Sequence, residues 1–163
     1  MLLNYNAYGE SIEDLHFSPS TVCLEMKIFA EPSDFCRASE LFKGLRRGFQ
    51  EDFSNLENIQ MEDFQSRGGL YYLPDEKWAR RIVGTYANQV SSQHPNRPHA
   101  ILRKKRGGWL VSVRAPETNP FGADLLCASF ETGGGRSGAA GINTLPDDQL
   151  SKFIHKFRCH FVQ

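Results

Sequence analysis

The sequence has no apolar run long enough to cross a membrane. A bilayer-spanning helix needs roughly 20 consecutive apolar residues, and no segment of the 163 residues approaches that length. The first fifteen residues, MLLNYNAYGESIEDL, also lack the basic flank and apolar stretch of a secretory signal peptide. We therefore expect a soluble intracellular protein with no membrane partner.

Cysteine is scarce and unpaired in the sequence. The four cysteines are scattered, with no Cys-x-x-Cys pair: Cys23, Cys36, Cys127 and Cys159. This spacing argues against a zinc site and is typical of reduced thiols in a cytoplasm. The five histidines form no ligand pair with a carboxylate at metal spacing. We expect a cytoplasmic location and no metal ligand in this chain.

The sequence also lacks the motifs of several hydrolases. No Gly-Lys-Ser or Gly-Lys-Thr follows its glycines, which excludes a P-loop nucleotide hydrolase. No aspartate-rich cluster is present that would hold two divalent metals. Cys159 beside His160 is a coincidence near the end of the last helix rather than a nucleophile and its base. We assign no catalytic residue to this chain.

The formal net charge is zero, but the charges are unevenly distributed. Residues 1–65 carry 5 Lys and Arg against 12 Asp and Glu, whereas residues 66–163 carry 14 against 7. This asymmetry suggests an acidic segment joined to a basic domain that faces an anion. The alternative is that the two parts simply attract each other.

The first 65 residues predict a helical extension. SPSTVCLEMKIFA is helical in character, and the segment from Glu31 to Gln60 has the apolar periodicity of one helix with a single stripe. Ser33 or Asp34 would cap this helix after Pro32. The stripe needs a partner surface. It comprises Phe35, Leu41, Phe42, Leu45, Phe49 and Phe53.

Residues 66–163 predict a small α/β domain, a mixed sheet packed with helices in the order β-α-β-β-α-β-α. GGLYYLP is a short strand, and the helix after it places apolar residues four apart. A turn at RGG joins the next two strands into a hairpin. The remaining predicted elements, in chain order, are a short helix in NPFGADLLCASF, a strand in AAGINT and a helix in LPDDQLSKFIHKFRCHF.

The stretch TGGGRSGAAG is the strongest candidate for binding chemistry. Successive glycines allow positive φ angles and let peptide N–H groups converge on an anion. Arg136 adds a planar guanidinium suited to phosphate or carboxylate. Arg114 ends an otherwise apolar strand, which favours a ligand, and Arg103 to Arg106 form a basic hairpin. The alternatives are that the glycines form a merely flexible turn and the basic hairpin a solvated one.

The segment from Gly107 to Leu150 resembles the C-terminal, DHH-associated domain of the DHH phosphoesterases, which include single-strand exonucleases and oligoribonucleases. The shared pattern is a strand ending Ser-x-Arg, a short helix, Gly-Gly-Gly-His and then Ala-Ala-Gly in register. LYYLPDEKWARRIVGTYANQVSSQHPNRPHAILRKK resembles the first half of this domain in a bacterial branch. Arg136 replaces the motif histidine, which keeps a cation but removes a group that titrates near neutrality.

The resemblance implies a division of labour. Hydrolysis would belong to a preceding DHH domain that binds two manganese ions and is absent from this sequence, so the chain would be an inactive part of a longer phosphoesterase. It would bind single-stranded nucleic acid, a short oligonucleotide or a phosphorylated nucleotide. The implied substrate-binding residues are Arg114, Gly133, Gly134, Gly135, Arg136, Ser137 and Asn143, with a basic surface from Arg103, Lys104, Lys105 and Arg106.

A different class of function stays open at this point. The chain would instead be an assembly module, in which the aromatic stripe of residues 1–65 packs on a partner domain or on a second copy. The glycine loop would then be structural only, and a homodimer through residues 20–55 is the form this alternative predicts.

Overall fold

The sequence predicts a change from a helical extension to an α/β domain after residue 65, and the two compact units of the structure divide after Asn58. A computed structural model describes residues 2–161, apart from the side chain of Ser66. One unit contains the chain up to Asn58 together with Glu76–Ile82. The other contains Ile59–Asp75 and the chain from Val83 onward.

The first unit is helical. Its helices are α1 (Leu2–Tyr5), α2 (Pro19–Met26), α3 (Pro32–Ala38) and α4 (Glu40–Ser54), with 3-10 turns at Ile12–Asp14 and Asn55–Asn58. Helix α2 begins where Ser18 caps it, because the Ser18 side chain accepts from the Thr21 N–H at 3.1 Å and Pro19 supplies a preset φ. The predicted helical character of the N-terminal part is confirmed up to Asn58, whereas Gln60–Asp63, within the predicted helical extension of residues 1–65, form a strand.

The prediction of one long helix after Pro32 is wrong, because the helix is interrupted at Ser39, which separates α3 from α4. Ser39 has extended backbone angles, and its hydroxyl oxygen accepts from the Phe42 N–H at 3.2 Å to cap α4. The predicted caps Ser33 and Asp34 are also wrong, since Glu31 is the N-cap of α3 and makes no side-chain capping bond.

The aromatic stripe has its partners inside the first unit. Phe35 and Phe42 are buried and meet edge-on, with ring centroids 5.4 Å apart. Leu45 is fully buried, and Phe49 contacts the buried ring of Tyr5 at 5.0 Å. Burial of this face stabilises α4 against the other helices of the same unit.

The second unit is a six-stranded mixed sheet with helices. Its elements are β1 (Gln60–Asp63), β2 (Gly69–Leu73), α5 (Lys77–Gln93), β3 (His99–Lys105), β4 (Gly108–Arg114), α6 (Ala123–Ala128), β5 (Gly133–Arg136), β6 (Ala139–Leu145) and α7 (Leu150–His160). The strand order is β1-β2-β3-β4-β6-β5. Only the β2–β3 pair is parallel, and α5 connects these two strands. Residues 77–82 of α5 group with the first unit and residues 83–93 with the second.

The predicted α/β fold class is confirmed, and each predicted strand and helix of this part of the chain is present. Leu102 on β3 lies opposite Val111 on β4, and both are buried. Phe153 and Phe157 of α7 pack in the same apolar cluster and are fully buried. Alternation along the strands and four-residue spacing along α7 therefore build one core. Within residues 2–161, no helix is long and apolar enough to cross a bilayer.

The glycine run is a β-strand, not the turn that the sequence predicts. Gly133 to Arg136 form β5, which pairs antiparallel with β6 at the edge of the sheet. A Cβ at Gly133 would lie 1.8 Å from the carbonyl oxygen of Cys127, at the end of α6. Gly135 has φ +145°, which favours glycine. The close approach of the Cys127 backbone therefore requires glycine at position 133, and the positive φ and the nearby Ala140 backbone favour it at position 135.

Candidate phosphate-binding site

Arg114 is the last residue of β4, with His99 opposite it on β3 and Ala139 opposite it on β6. Its Nε and Nη2 both donate to the Asn88 side-chain oxygen at 3.0 Å. Its Nη1 donates to the Ser112 hydroxyl at 3.0 Å and to the Val113 carbonyl at 3.1 Å. These bonds fix the plane of the guanidinium, which is only partly exposed.

A pocket of about 350 Å³ surrounds this guanidinium. Glu117 brings a carboxylate to the same lining, where it accepts from the Ser92 hydroxyl at 3.3 Å. The pocket therefore combines a cation, hydroxyl donors and one anion. Its lining residues are Asn88, Ser91 and Ser92 of α5, then Arg114, Ala115, Glu117, Pro120, Gly138 and Ala139.

The turn between β5 and β6 forms one wall of the pocket and is held at two points. The Ala115 N–H donates to the Gly138 carbonyl at 3.0 Å. The Ala123 N–H, at the start of α6, donates to the Ser137 carbonyl at 2.9 Å. The turn is thus tied both to the end of β4 and to α6, which fixes the wall opposite Arg114.

The structure places the predicted glycines beside this pocket rather than in its lining. Gly133 to Gly135 run along β5, and pairing with β6 uses part of their backbone hydrogen-bonding capacity. Arg136 is exposed at the end of β5, opposite Ala139, which does line the pocket. Ser137 contributes its carbonyl to the turn. The structure therefore brings Arg114 to the turn after the glycine strand.

Asn143 lies at a different place on the sheet. It is exposed on β6, four residues beyond Ala139, which corresponds to about 13 Å along a strand. Its backbone carbonyl is 3.4 Å from the Lys105 amine. Asn143 is therefore near the hairpin that joins β3 and β4, and not near Arg114.

The basic run after Leu102 is only partly a basic surface. Arg103 was expected at the surface but is buried, because β3 is an interior strand with Leu73 and Leu110 on either side. Its Nη1 lies 3.4 Å from an Asp75 oxygen. Lys104 has its amine 2.5 Å from an Asp147 carboxylate oxygen. Arg106 is exposed at the turn.

Sequence reasoning missed the contribution of α5 to the pocket. Asn88, Ser91 and Ser92 are three and four residues apart, so they share one face of the helix. This polar face, opposite the apolar stripe of the same helix, is the sequence feature that could have indicated a contribution of α5 to the pocket. Its meeting with Arg114 depends on a contact between residues 26 positions apart, which local pattern does not reveal.

The described residues do not fit the two-manganese centre that the resemblance assigns to a DHH domain. Among residues 2–161, no group of three or more His, Cys, Asp or Glu side chains is arranged to hold a metal ion. We therefore derive no step through manganese for this chain.

Comparison with known proteins gives a match at the level of the fold. No protein-family model matches the sequence, and no curated protein matches it. Among solved structures, RecJ of Thermus thermophilus with Mn²⁺ matches 98% of this chain with a TM-score of 0.64 and 16% identity. A pGpG-specific phosphodiesterase of Vibrio cholerae, PggH, matches 98% with a TM-score of 0.57 and 9% identity.

An exopolyphosphatase-related protein of Bacteroides fragilis matches 85% of the chain, with a TM-score of 0.54 and 16% identity. These structures are DHH-family proteins. The chain has a DHH-type fold. It spans 23% of RecJ, 54% of the phosphodiesterase and 41% of the exopolyphosphatase-related protein. The DHH resemblance read from the sequence is thus confirmed as a fold.

Proposed function

We propose that the second unit binds a phosphate of a nucleotide or of a single-stranded nucleic acid at Arg114. The observation that carries this proposal is the guanidinium of Arg114, which Asn88 and Ser112 orient at the pocket. A second domain of the whole protein would then hydrolyse the bound phosphate ester with manganese. This chain would position the substrate.

The chemistry of the pocket suits a phosphate. A guanidinium carries a full positive charge, and its charge-assisted bonds to a phosphate are stronger than neutral ones. Because Nε and Nη2 of Arg114 donate to the Asn88 side-chain oxygen, a phosphate bound to these two groups would take the place of that oxygen. Because Arg114 is already held by neighbouring groups, little side-chain entropy is lost on binding. Ser91 and Ser92 place hydroxyl groups at the same wall, and that of Ser92 donates to Glu117.

Glu117 makes one side of the pocket negatively charged, whereas Arg114 makes the other side positively charged. Its carboxylate would repel a second phosphate placed beside it, since like charges at close range disfavour each other. The same carboxylate accepts hydrogen bonds, as its contact with the Ser92 hydroxyl shows. We therefore assign the phosphate to the Arg114 side and a sugar hydroxyl to the Glu117 side.

The fold supports the role of a substrate-holding part. The chain matches a portion of a phosphodiesterase and of RecJ, and it spans 23% to 54% of their lengths. The assembly alternative rests on an unpartnered aromatic stripe, and that stripe is buried within the first unit at Phe35, Phe42 and Leu45. The aromatic stripe therefore gives no support to the assembly alternative.

Calorimetric titration with 5′-phosphorylated trithymidylate tests the proposal. We expect Arg114→Ala to weaken binding roughly tenfold or more, because a charge-assisted pair is lost. Arg136→Ala should weaken it less, since Arg136 does not line the pocket. Arg106→Ala is the matched control, as Arg106 is an exposed arginine at the other end of β4.

Ionic strength gives a second measurement. Binding carried by phosphate contacts should fall steeply as salt rises, and Arg114→Ala should flatten that dependence. Equal losses for Arg114→Ala and Arg106→Ala would contradict a specific site. So would a trithymidylate affinity that does not change between low and moderate salt.

A further inference from the structure

Phe121 is exposed in a way that no other phenylalanine of the chain is. All twelve phenylalanines lie in the part of the chain that the structure describes, and only Phe121 has an exposed side chain, at 67%. Exposing a large aromatic ring to water is unfavourable by an amount that scales with its apolar area. The exposed face of this ring is therefore available to a ligand that would cover it.

The backbone that carries Phe121 is fixed on both sides. The Phe121 N–H donates to the Asn119 carbonyl at 2.8 Å. The next residue, Gly122, caps α6 in a left-handed conformation, and its carbonyl lies 2.8 Å from the His160 Nε2. Ala123 is fully buried. The ring is thus displayed by an ordered segment, and not by a loose loop.

This segment adjoins the Arg114 pocket. Pro120, the neighbour of Phe121, lines the pocket, as does Gly138. These two residues are packed together, because a Cβ at Gly138 would lie 3.2 Å from the Pro120 Cβ. An exposed aromatic ring therefore follows directly from a wall of the pocket in which a phosphate is assigned to Arg114.

We propose that a nucleobase stacks on Phe121 when the adjoining phosphate is bound at Arg114. This inference rests on the proposed function and adds a second contact to it. Single-strand binding sites combine cations that hold the backbone with aromatic rings on which bases stack. Every base has a π-face, so Phe121 would accept any of them and would not select a sequence.

Leu125 separates this proposal from docking of an apolar protein surface. It is 69% exposed and lies four residues beyond Phe121. An apolar protein partner would cover both side chains through their area alone. A nucleobase stacks on a planar aromatic ring and gains no comparable stacking energy from the aliphatic side chain of leucine. Leu125→Ala is therefore the matched control for Phe121→Ala.

The experiment is calorimetric titration of the 163-residue chain with 5′-phosphorylated trithymidylate and with the same trinucleotide made abasic. We expect Phe121→Ala to weaken the trithymidylate complex roughly tenfold. The abasic complex should not change. Leu125→Ala should leave both unchanged, and Phe121→Trp should retain wild-type affinity. The same comparison is made with thymidine 5′-monophosphate and deoxyribose 5-phosphate, which differ only in the base. Tighter binding of the monophosphate would show that a free nucleotide, and not only a strand, supplies the stacked base.

The outcomes separate the two proposals. Equal affinity of the wild-type chain for the base-bearing and abasic trinucleotides would overturn stacking while phosphate binding stands. Equal losses from Phe121→Ala and Leu125→Ala would also overturn stacking and would indicate a general apolar contact. Affinity lost with Phe121→Ala but not with Arg114→Ala would overturn the phosphate assignment, and absence of binding by all four probes would overturn both.

Discussion

Arg81 and Asp52 form a bidentate ion pair inside the first unit, with Arg81 Nε 2.6 Å from Asp52 Oδ2 and Nη2 2.7 Å from Oδ1. The Tyr5 hydroxyl donates to the same carboxylate, and Arg81 Nη1 donates to the Asp14 carbonyl. Both charged side chains are buried. This pair fixes residue 81, near the start of α5, to residue 52 near the end of α4.

Removing one partner of this pair should be costly. Asp52→Ala leaves the Arg81 charge buried without its carboxylate, and we expect a loss of roughly 3–5 kcal/mol in the free energy of unfolding. The double variant Asp52→Leu with Arg81→Met should lose less than Asp52→Ala alone, because no isolated charge remains. Denaturant unfolding followed by circular dichroism measures both, and a double variant less stable than Asp52→Ala would contradict the argument.

The glycine strand offers a matched pair of substitutions. Gly133→Ala places a methyl group 1.8 Å from the Cys127 carbonyl oxygen, whereas a Cβ at Gly134 has nothing within 4 Å. We expect Gly133→Ala to destabilise the protein by more than about 1 kcal/mol. Gly134→Ala should be neutral or stabilising by up to about 1 kcal/mol. Thermal unfolding of the two variants decides this, and equal shifts would show that Cys127 does not constrain β5.

His99 should make stability depend on pH near neutrality. Burial lowers the pKa of His99, and the nearby cation Arg97 lowers it further. The folded state therefore holds this imidazole neutral, while the unfolded chain binds a proton below pH of about 6.5. Stability is thus fully present above that pH and is lost as the pH falls below it.

The variant His99→Gln tests this dependence. We expect its unfolding free energy to fall less than that of the wild type between pH 7 and pH 5. His155→Gln is the control, because His155 is exposed on α7 and its replacement should leave the wild-type dependence intact. Parallel pH profiles for the wild type and His99→Gln would rule out His99 as the source.

The four cysteines should fall into two reactivity classes. Cys23, Cys36 and Cys159 are exposed free thiols, whereas Cys127 is buried. Burial raises the pKa of the Cys127 thiol to about 12, so little thiolate is available at neutral pH. An aromatic disulfide reagent should label three thiols per native chain at once. The fourth should react only after denaturant is added, and fast labelling of all four would contradict the burial of Cys127.

The sequence predicted the elements whose pattern is local. Alternation in β3 and β4 and four-residue spacing in α5 were sufficient to place them, because side-chain periodicity follows directly from backbone geometry. The break at Ser39 was missed, since a serine inside a helical stripe reads equally well as an exposed helical residue. Strand β5 was missed because glycine has a low strand preference. The need for glycine arises from the Cys127 carbonyl at Gly133 and from the positive φ at Gly135, neither of which is visible in the sequence.

Some residues of the candidate site could also be predicted from local sequence pattern. Arg114 could be singled out because it ends an apolar strand, a property visible within seven residues. Asn88 and Glu117 could not, since they reach the pocket through tertiary contacts with α5 and with the loop after β4. Arg103 was misplaced at the surface because a run of four cations looks solvated until β2 and β4 are known to flank it.

The ends of the six-stranded sheet have a consequence for solubility. Both edge strands are only four residues long: β1, which carries Glu62 and Asp63, and β5, which ends in Arg136. Short edges with charged side chains are poor templates for a further strand. The glycines of β5 add no apolar side chains with which an incoming strand would pack. Aggregation by addition of further strands is therefore disfavoured at both edges of this sheet.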